Sequence, residues 1–403
     1  MINIDKKMKK IYLDCAATTP CNPQVLEAMM PYFGQKFGNP SSIHSFGMEA
    51  KEVVEKARKT VADALGADPE EIIFTSSGTE SDNLAIKGIA YTNRTRGNHI
   101  ITSQIEHHAV LESCKFLEKR GFKVTYLTVD KYGLVNPEDL EKTITKKTIL
   151  VSIMHANNEI GTIEPIAELA SIAKEKGICF HTDAVQTFGH ILTNVDDLRV
   201  DLLSISAHKL YGPKGVGALY IRKGTKIEAI SHGGDQEDGM RAGTLNVPGI
   251  VGLGKAIEQS QKGMKNEEER EKKLQDKLIN GLLKVPNVRL NGHPKARLSG
   301  NVNVSVEGIE GESMILNLNL LGISCSTGSA CTSSSLEPSH VLLACGLSAE
   351  VAHGSLRFSL GKLTSEEDIN YLLSVFPKMV EKLRKMSPMW QKGGELCNRI
   401  ATK

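Results

Sequence analysis

The chain contains 403 residues and carries a formal net charge of only +2, because 49 lysine and arginine residues nearly balance 47 aspartate and glutamate residues. Since one hydrophobic core rarely serves more than about 300 residues, the length predicts two domains. The balanced charge gives no indication of a nucleic-acid or anionic-membrane partner, and since no apolar run approaches the roughly 18 residues that cross a bilayer, we expect a cytoplasmic protein.

Short apolar runs alternate with longer amphipathic runs through the first half of the chain, a pattern typical of strands and crossover helices in a mainly parallel sheet. A helix over Met48–Leu65, ended by Gly66, comes first. The predicted strands that follow are Ile72–Thr75, His99–Thr102, Val124–Thr128, Ile149–Met154, Ile178–His181, Leu202–Ser206 and Val216–Ile221. The helices predicted between them include Asp82–Thr92, Ala109–Lys119, Pro137–Thr145 and Pro165–Lys176. We therefore expect an α/β core with helices on both faces of the sheet.

The last part of the chain has a different pattern. A helical stretch after Pro248 continues into the charge-rich run Lys265–Lys277, which we interpret as a solvated helix face that bridges two domains. The strands and helices predicted after it are Val288–Leu290, Asn301–Val306, Ser313–Leu320 and Glu366–Lys385. These elements predict a smaller α+β domain, formed by residues 1–15 and 266–403, beside a large domain over residues 16–265.

Small and hydroxyl-bearing side chains follow the first predicted strand of the sheet, in the segment Ser76–Ser81 with the sequence SSGTES. Backbone N–H groups at the start of a helix can hold a phosphate. A capping box is the alternative interpretation, and a capped helix start binds phosphate as well. The next strand leads to His107 and His108, where an imidazole can stack on a flat cofactor. Two adjacent histidines point in different directions, so we expect no metal pair there.

Two later strands end in residues that suit a pyridine cofactor. Asp183 closes one strand, with Gln186 three residues later, and Lys209 follows the strand that ends at Ser206. The carboxyl ends of strands in an open α/β sheet border the crevice where ligands bind. There a lysine can form a Schiff base, and a carboxylate can keep a pyridine nitrogen protonated. By itself Asp183 is more often a helix N-cap and Lys209 an exposed turn residue, but their combination favours a cofactor site.

The eight cysteines are scattered without a C-x-x-C pair, which gives no indication of zinc or of a dithiol switch. A single cysteine is usually a small buried apolar residue, so a nucleophile needs a special setting. The segment 324–335, with the sequence SCSTGSACTSSS, is small and polar throughout and predicts an exposed, mobile loop. A thiol on such a loop can approach a bound substrate and then move away, which singles out Cys331.

Together these residues resemble the cysteine desulfurases of the NifS/IscS type, class-V aminotransferase-like pyridoxal phosphate enzymes with the aspartate-aminotransferase-like fold (fold type I). The resemblance extends from Tyr12 to Trp390 and so covers nearly the whole chain. The long cysteine loop is similar to that of the group serving iron–sulfur assembly and tRNA thiolation. The motifs that carry the resemblance are NPSS at 39–42 with His44, TESDN at 79–83, NNEIG at 157–161, SAHK at 206–209, RAGT at 241–244 and GSACTS at 328–333.

The resemblance implies catalytic and cofactor-binding roles at the matching positions. Lys209 would hold pyridoxal 5'-phosphate covalently, and Asp183 would pair with its pyridine nitrogen. Gln186 would meet the phenolic oxygen, and His107 would stack on the ring and handle the proton of the substrate sulfur. Cys331 would take up the sulfur as a persulfide. The residues implied to bind the cofactor are Gly78, Thr79, His107, Asn158, Asp183, Gln186, Ser206, His208, Lys209 and, from the second subunit of a homodimer, Thr244.

The resemblance also implies the substrate and the partners. Arg357 would clamp the carboxylate of L-cysteine bidentately, a geometry that lysine cannot match, with assistance from Asn39 and Asn158. The product would be L-alanine, and the sulfur would pass to an acceptor such as an iron–sulfur scaffold or a tRNA-thiolation protein. No resident metal is implied; only Cys331 would ligate an iron–sulfur cluster, transiently and together with a scaffold partner.

Two features qualify the resemblance. Asp235 and Asp238 stand where the family usually has glycine and arginine, near the loop expected to reach the dimer partner, so the charge of that edge differs. Cys325, six residues before Cys331, is a second loop thiol, and a sulfur relay through it is a hypothesis.

Other functions remain open at the level of sequence. An aminotransferase, or a cysteine or selenocysteine lyase of the same fold, would work without a protein persulfide, and the loop thiol argues against it. A non-catalytic scaffold for sulfur carriers is a further alternative, which the joint presence of Lys209, Asp183, His107 and Cys331 disfavours. A nicotinamide-dependent dehydrogenase is disfavoured because no G-x-G-x-x-G opens the first helix after a strand. The sequence does not identify the sulfur acceptor.

Overall fold

The computed structural model describes residues 10–328, 337–388 and 390. Its strands are β1 Ile11–Tyr12, β2 Ile72–Thr75, β3 His99–Ser103, β4 Lys123–Leu127, β5 Thr148–Ser152, β6 Cys179–Asp183, β7 Leu202–Ser206, β8 Gly217–Ile221, β9 Val288–Asn291, β10 Asn301–Val306, β11 Ile323–Ser324 and β12 Ser355–Ser359. Its α-helices are α1 Pro23–Met29, α2 Pro31–Gly34, α3 Ser45–Leu65, α4 Gly78–Asn93, α5 His108–Glu118, α6 Pro137–Thr143, α7 Ile166–Glu175, α8 Val195–Leu198, α9 Val247–Gln261, α10 Met264–Leu282, α11 Gly311–Leu320, α12 His340–Ala344, α13 Ala349–His353 and α14 Glu366–Met386.

Seven strands form one central sheet in the spatial order β2-β8-β7-β6-β5-β3-β4. Strand β8 pairs antiparallel with β2 and β7, whereas the other neighbouring strands pair parallel. Every residue of β5 and β7 is buried, as expected for strands that are covered by helices on both faces. The predicted α/β fold with a mainly parallel sheet is confirmed. Because β3, β5, β6 and β7 run in one direction, their carboxyl ends meet at one edge of the sheet.

Helix α4 begins four residues earlier than its apolar periodicity predicts, at Gly78 rather than at Asp82. Ser77 caps it, because its backbone is extended and its hydroxyl oxygen accepts a hydrogen bond from the N–H of Glu80 at 3.2 Å. The first turn contains small and polar residues that leave no periodic apolar signal. Gly78 and Thr79 therefore lie in the first turn, where backbone N–H groups have no partner within the helix.

Buried apolar side chains gather on either side of the predicted domain boundary. One part of the core lies between the central sheet and helices such as α3 and α9, and α4 and α5 pack on the opposite face. A separate cluster surrounds the antiparallel sheet β12-β10-β9 and includes α10, α11 and α14 together with Ile11 and Leu13. Strand β1 pairs with β11, which explains why the N-terminal residues join the C-terminal cluster. This distribution supports the division into residues 16–265 and residues 1–15 plus 266–403, which stays a prediction.

Exposed apolar side chains are concentrated near the N-terminus, in residues 30–48, which we call the apolar segment. Ile43 is 95% exposed and Phe37 is 68% exposed, and Phe33, Phe46 and Met48 are exposed beside them. Among the described residues, no helix has both the length and the apolar character required to cross a membrane.

Candidate active site

A cavity of about 320 Å³ opens at the carboxyl ends of the parallel strands. Its size is at the lower end of the range for small-molecule sites, about 300 to 1,000 Å³. The residues that line it come from distant parts of the sequence and from both sides of the predicted domain boundary. The predicted site residues among them are Gly78, Thr79, His107, Asn158, Asp183, Gln186, Ser206, His208, Lys209 and Arg357.

The side chain of Lys209 reaches from the sheet edge to the N-terminal segment of the chain. It stands in a short 3-10 turn, Ala207–Lys209, directly after β7. Its Nζ donates hydrogen bonds to the backbone oxygen of Ala16 at 2.6 Å and to that of Ala17 at 2.8 Å. The Nε2 of Gln186 donates to the same oxygen of Ala16 at 3.1 Å. One backbone carbonyl therefore holds the Lys209 amine and the Gln186 amide side by side in the cavity.

Two buried carboxyl groups lie at the cavity wall. Asp183 ends β6, and its Oδ1 accepts a hydrogen bond from the N–H of Val185 at 2.9 Å. Burial raises the pKa of Asp183 to about 6, although that hydrogen bond and the charge of Lys209 act in the opposite direction. Burial, and next the charge of Asp183, raise the pKa of Asp82 well above its usual value. Because two adjacent carboxylates are unfavourable in a dry site, a cationic ring beside Asp183 is the kind of ligand that would keep it ionised.

Two histidines of the cavity are neutral at physiological pH. Burial, and next the charge of Lys209, lower the pKa of His107 to about 4. His107 also caps α5, because its Nδ1 accepts a hydrogen bond from the N–H of Ala109 at 3.1 Å. Burial likewise lowers the pKa of His208 to about 4, and its Nδ1 lies 3.1 Å from the hydroxyl oxygen of Thr18. A neutral, fixed imidazole at position 107 is suited to stacking on an aromatic ring.

The start of α4 has features suited to an anionic group. Ser77 caps the helix, and Gly78 and Thr79 of the first turn line the cavity. The hydroxyl oxygen of Ser206 is buried and has no hydrogen-bond partner among the described residues. At Gly78 an added Cβ would meet a methyl carbon of Val185 at 2.5 Å, so a side chain there would close the space. An unpartnered hydroxyl beside helix N–H groups fits a phosphate.

Arg357 of β12 reaches the cavity from the C-terminal part of the chain. One terminal nitrogen donates to Oδ1 of Asp14 at 2.8 Å, and the other donates to the backbone oxygen of Asn158 at 2.9 Å. Its Nε is buried without a partner in the described part of the chain. Since an unpaired buried donor is costly, the guanidinium keeps capacity to bind a further anionic group such as a substrate carboxylate.

Two of the predicted residues are not brought to this cavity, and a third lies outside the described residues. Asn39 is exposed, and its Oδ1 accepts a hydrogen bond from the N–H of Ser41 at 3.0 Å. Thr244 is exposed and lies outside the cavity lining. Cys331 and most of the loop 324–335 lie outside the described residues. Cys325 is described: burial raises the pKa of its thiol to about 12, which disfavours the thiolate that a sulfur relay would need.

The structure adds residues to the site that the sequence analysis did not assign. Asp82 lines the cavity and is 1% exposed. It belongs to the TESDN motif at 79–83, which is the signal that could have found it. Ala16 and Ala17 act through backbone oxygens, so their side chains carry no signal for this role.

The donor set fits pyridoxal phosphate. A cavity that joins an amine at Lys209, a carboxylate at Asp183 and a helix start at Gly78 offers one group for each of the three reactive parts of the cofactor: its aldehyde, ring nitrogen and phosphate. Among the described residues, no group of three or more histidine, cysteine, aspartate or glutamate side chains could hold a metal ion.

Comparison with known proteins gives consistent matches over most of the chain. Residues 11–372 match the family described as aminotransferase class-V. The chain is 59% identical over 390 residues to cysteine desulfurase IscS of Methanosarcina thermophila, covering 97% of this chain and 96% of the relative. It is 60% identical over 384 residues to cysteine desulfurase IscS of Dictyoglomus turgidum, covering 95% and 98%.

Solved structures show the same similarity. A NifS-like protein superposes with a TM-score of 0.87 at 43% identity, covering 93% of this chain and 99% of that protein. The structure described as SspA in complex with cysteine superposes with a TM-score of 0.79 at 41% identity, covering 87% of this chain and 99% of that chain.

Proposed function

Since the chain belongs to the class-V aminotransferase family and the relatives compared above are cysteine desulfurases, we propose that it is a pyridoxal-phosphate-dependent cysteine desulfurase that converts L-cysteine to L-alanine. It would work in the cytoplasm and keep the sulfur as a persulfide on Cys331. The observation that carries the proposal is the single cavity in which Lys209, Asp183 and Arg357 come together with the neutral ring of His107.

The substrate carboxylate would be bound by the guanidinium of Arg357, which is charged and held in place. Arg357 is 2% exposed and is already oriented by Asp14 and by the backbone of Asn158, so it can receive the substrate carboxylate without ordering a flexible side chain. Asn158 lines the cavity beside it. A lysine at position 357 could not form the paired hydrogen bonds of a guanidinium.

Proton transfer falls to Lys209. When bound, pyridoxal phosphate supplies an electron-withdrawing ring for the substrate α-carbon. Asp183 would hold negative charge at the ring nitrogen, and the Nζ of Lys209 would remove the α-proton of the substrate. His107 would stack on the ring, and its part in moving the proton of the substrate sulfur stays a prediction.

The thiol that receives the sulfur belongs to Cys331. It lies three positions along the chain from Gly328, which lines the cavity, so covalent geometry limits the two Cα atoms to a separation of about 11 Å. In the transfer step the thiolate of Cys331 attacks the substrate sulfur. An S–S bond forms, the C–S bond breaks, and its electron pair goes to the substrate carbon, which is protonated as alanine forms.

A homodimer completes the proposed enzyme. The apolar segment presents exposed side chains such as Phe37 and Ile43, and contiguous apolar surface of this kind marks protein interfaces. Thr244 is exposed outside the cavity of its own chain, which is consistent with a role in the phosphate site of the second subunit. The sulfur acceptor would be an iron–sulfur scaffold or a tRNA-thiolation protein.

Two substitutions test the proposal. Lys209→Ala should remove the visible absorbance of the bound cofactor and lower turnover by at least about a thousandfold, because the proton acceptor is lost. Cys331→Ala should keep the absorbance but fail to retain sulfur from isotopically labelled cysteine. Cys325→Ser is the matched control, and it should behave as the unsubstituted enzyme in both assays. Normal alanine formation with release of sulfide by Cys331→Ala would instead identify a lyase of the same fold.

A further inference from the structure

The carboxylate of Glu237 is buried in a loop whose other residues are exposed or half-buried. This loop, residues 233–245, contains Thr244 near its C-terminal end. It also contains Asp235 and Asp238, the acidic residues that depart from the usual family sequence. Both oxygens of Glu237 contact Arg58 of α3, at 2.7 and 2.9 Å, and one also accepts the backbone N–H of Phe74 at 2.6 Å. The side chain of Glu237 is 0% exposed. The loop is therefore anchored to α3 and β2 by a charge-assisted contact that excludes water.

The backbone around this anchor is strained. Glu237 and Asp238 have φ angles of 50° and 53°, in the left-handed region that residues other than glycine rarely adopt. Two successive residues persist in this conformation only where surrounding contacts determine it. The contacts of the buried Glu237 carboxylate with Arg58 and Phe74 do so, since Asp238 is exposed.

A second ion pair, between Arg241 and Glu80, holds the C-terminal part of the loop. The Nε of Arg241 donates to Oε1 of Glu80 at 3.1 Å. Glu80 follows Thr79 in the first turn of α4, and its other oxygen accepts the N–H of Ser76. The 233–245 loop is thus fixed at Glu237 and at Arg241, and Thr244, three positions after Arg241, is exposed.

The loop also borders the apolar segment. A cavity of about 410 Å³ lies between them, with Pro40 and Ser41 on one side and the range 235–238 with Leu245 on the other. The proposed dimer surface and the exposed Thr244 therefore belong to one continuous region of the molecule.

We propose that Glu237 is a positioning residue: through its ion pair with Arg58 it fixes the 233–245 loop so that Thr244 reaches the phosphate site of a second copy of this chain. The inference rests on the proposed function, from which it takes the homodimer and the role of Thr244. Glu237 then acts in trans, because its loss in one subunit weakens the cofactor site of the other.

Heterodimers with two different affinity tags test this directly. One subunit carries Lys209→Ala, so that only the second subunit can hold pyridoxal phosphate covalently. Glu237→Gln is placed either in the first subunit, in trans to the working site, or in the second, in cis. Cofactor retention after dilution is measured by its visible absorbance, and the dimeric state of each sample is measured in parallel.

The expected result is a loss of retention in the trans arrangement only. Its size should be about 10- to 100-fold, as for loss of one hydrogen bond to a charged group, and Thr244→Val in trans should match it. Asp63→Asn, which breaks an exposed ion pair with Lys59 on the same helix, is the control and should change retention less than about twofold in either arrangement. Glu237→Asp, which keeps the charge but shortens its reach, should show the same trans-only pattern with a smaller loss.

Two results would overturn the inference: a loss that follows Glu237→Gln in cis, or an unchanged retention with the substitution in trans. Failure of the proposed function looks different. In that case the heterodimer with Lys209→Ala as its only substitution would bind no cofactor at all.

Discussion

Several carboxyl groups are buried, and burial raises their pKa: that of Glu106 and of Glu164 to about 8, and that of Glu271 to about 7. Glu164 is 3% exposed; one oxygen accepts the N–H of Val135 at 3.0 Å, and the other has no hydrogen-bond partner among the described residues. A neutral acid suits such a position better than a carboxylate does.

Replacement of Glu164 by glutamine tests this charge state. Because the folded-state pKa of Glu164 lies above its unfolded value, the native state keeps a proton that the unfolded chain loses between about pH 4.5 and 8. Over this window the unfolding free energy of the unsubstituted protein should fall relative to that of Glu164→Gln by about 1.4 kcal/mol per pH unit. Above about pH 8 the difference should become constant. Urea unfolding at unit pH intervals measures it, and a difference independent of pH would show that Glu164 is ionised in the fold.

At the same scale, the residues of the site differed in how far they could be predicted. Lys209 and Asp183 follow strands with strong apolar runs, so their place at the sheet edge was predictable, and both line the cavity. Asp82 lies in the first turns of a helix whose start carried no periodic signal. Its proximity to Asp183 arises only when α4 packs on the sheet.

At the scale of the secondary-structure elements, helices such as α4 and α14 begin after a serine that caps their N-terminus. Ser77 caps α4, and Ser365 caps α14 through a capping box with Asp368. The two caps have similar local chemistry, but only Ser77 lines the cavity.

This contrast allows a matched test. Ser77→Ala and Ser365→Ala should each lower the unfolding free energy by about 1 kcal/mol, because each leaves helix N–H groups without a partner. Only Ser77→Ala should also weaken binding of pyridoxal phosphate, by severalfold, since the first turn of α4 loses its fixed orientation. Urea unfolding and titration of the cofactor absorbance measure the two effects. If the two variants bound the cofactor equally well, the assignment of the first turn of α4 to the phosphate site would be wrong.

At the scale of the whole molecule, the fold of a single chain does not explain why the apolar segment is exposed to solvent. The apolar segment, with its exposed apolar side chains, borders the 233–245 loop through Ser41, across the cavity that Leu245 also lines. In water such a surface favours association. A dimer through this region would bury it and would bring Thr244 to a second chain.

A charge placed in the apolar segment tests the dimer. Ile43→Asp should raise the dimer dissociation constant at least about tenfold, because an apolar side chain worth roughly 1.5 to 3 kcal/mol on burial is replaced by a charge. Leu363→Asp, at a residue that is 76% exposed elsewhere on the surface, is the control and should leave the dimer intact. Sedimentation at several protein concentrations measures both. A dimer unchanged by Ile43→Asp would place the interface elsewhere.

The α/β class, most strands of the central sheet and the strand ends at Asp183 and Ser206 followed from the sequence by itself. These features depend on apolar periodicity and short motifs, which are local properties of the chain. The helix start at Gly78 was placed too late, because capping residues carry no periodicity.

Only the tertiary structure decided which distant residues meet. The hydrogen bonds of the Lys209 amine to the backbone oxygens of Ala16 and Ala17, the proximity of Asp82 to Asp183 and the ion pair between Arg58 and Glu237 all involve segments far apart in the sequence. Such contacts depend on how helices and strands pack against each other, and no local pattern of residue types records that arrangement.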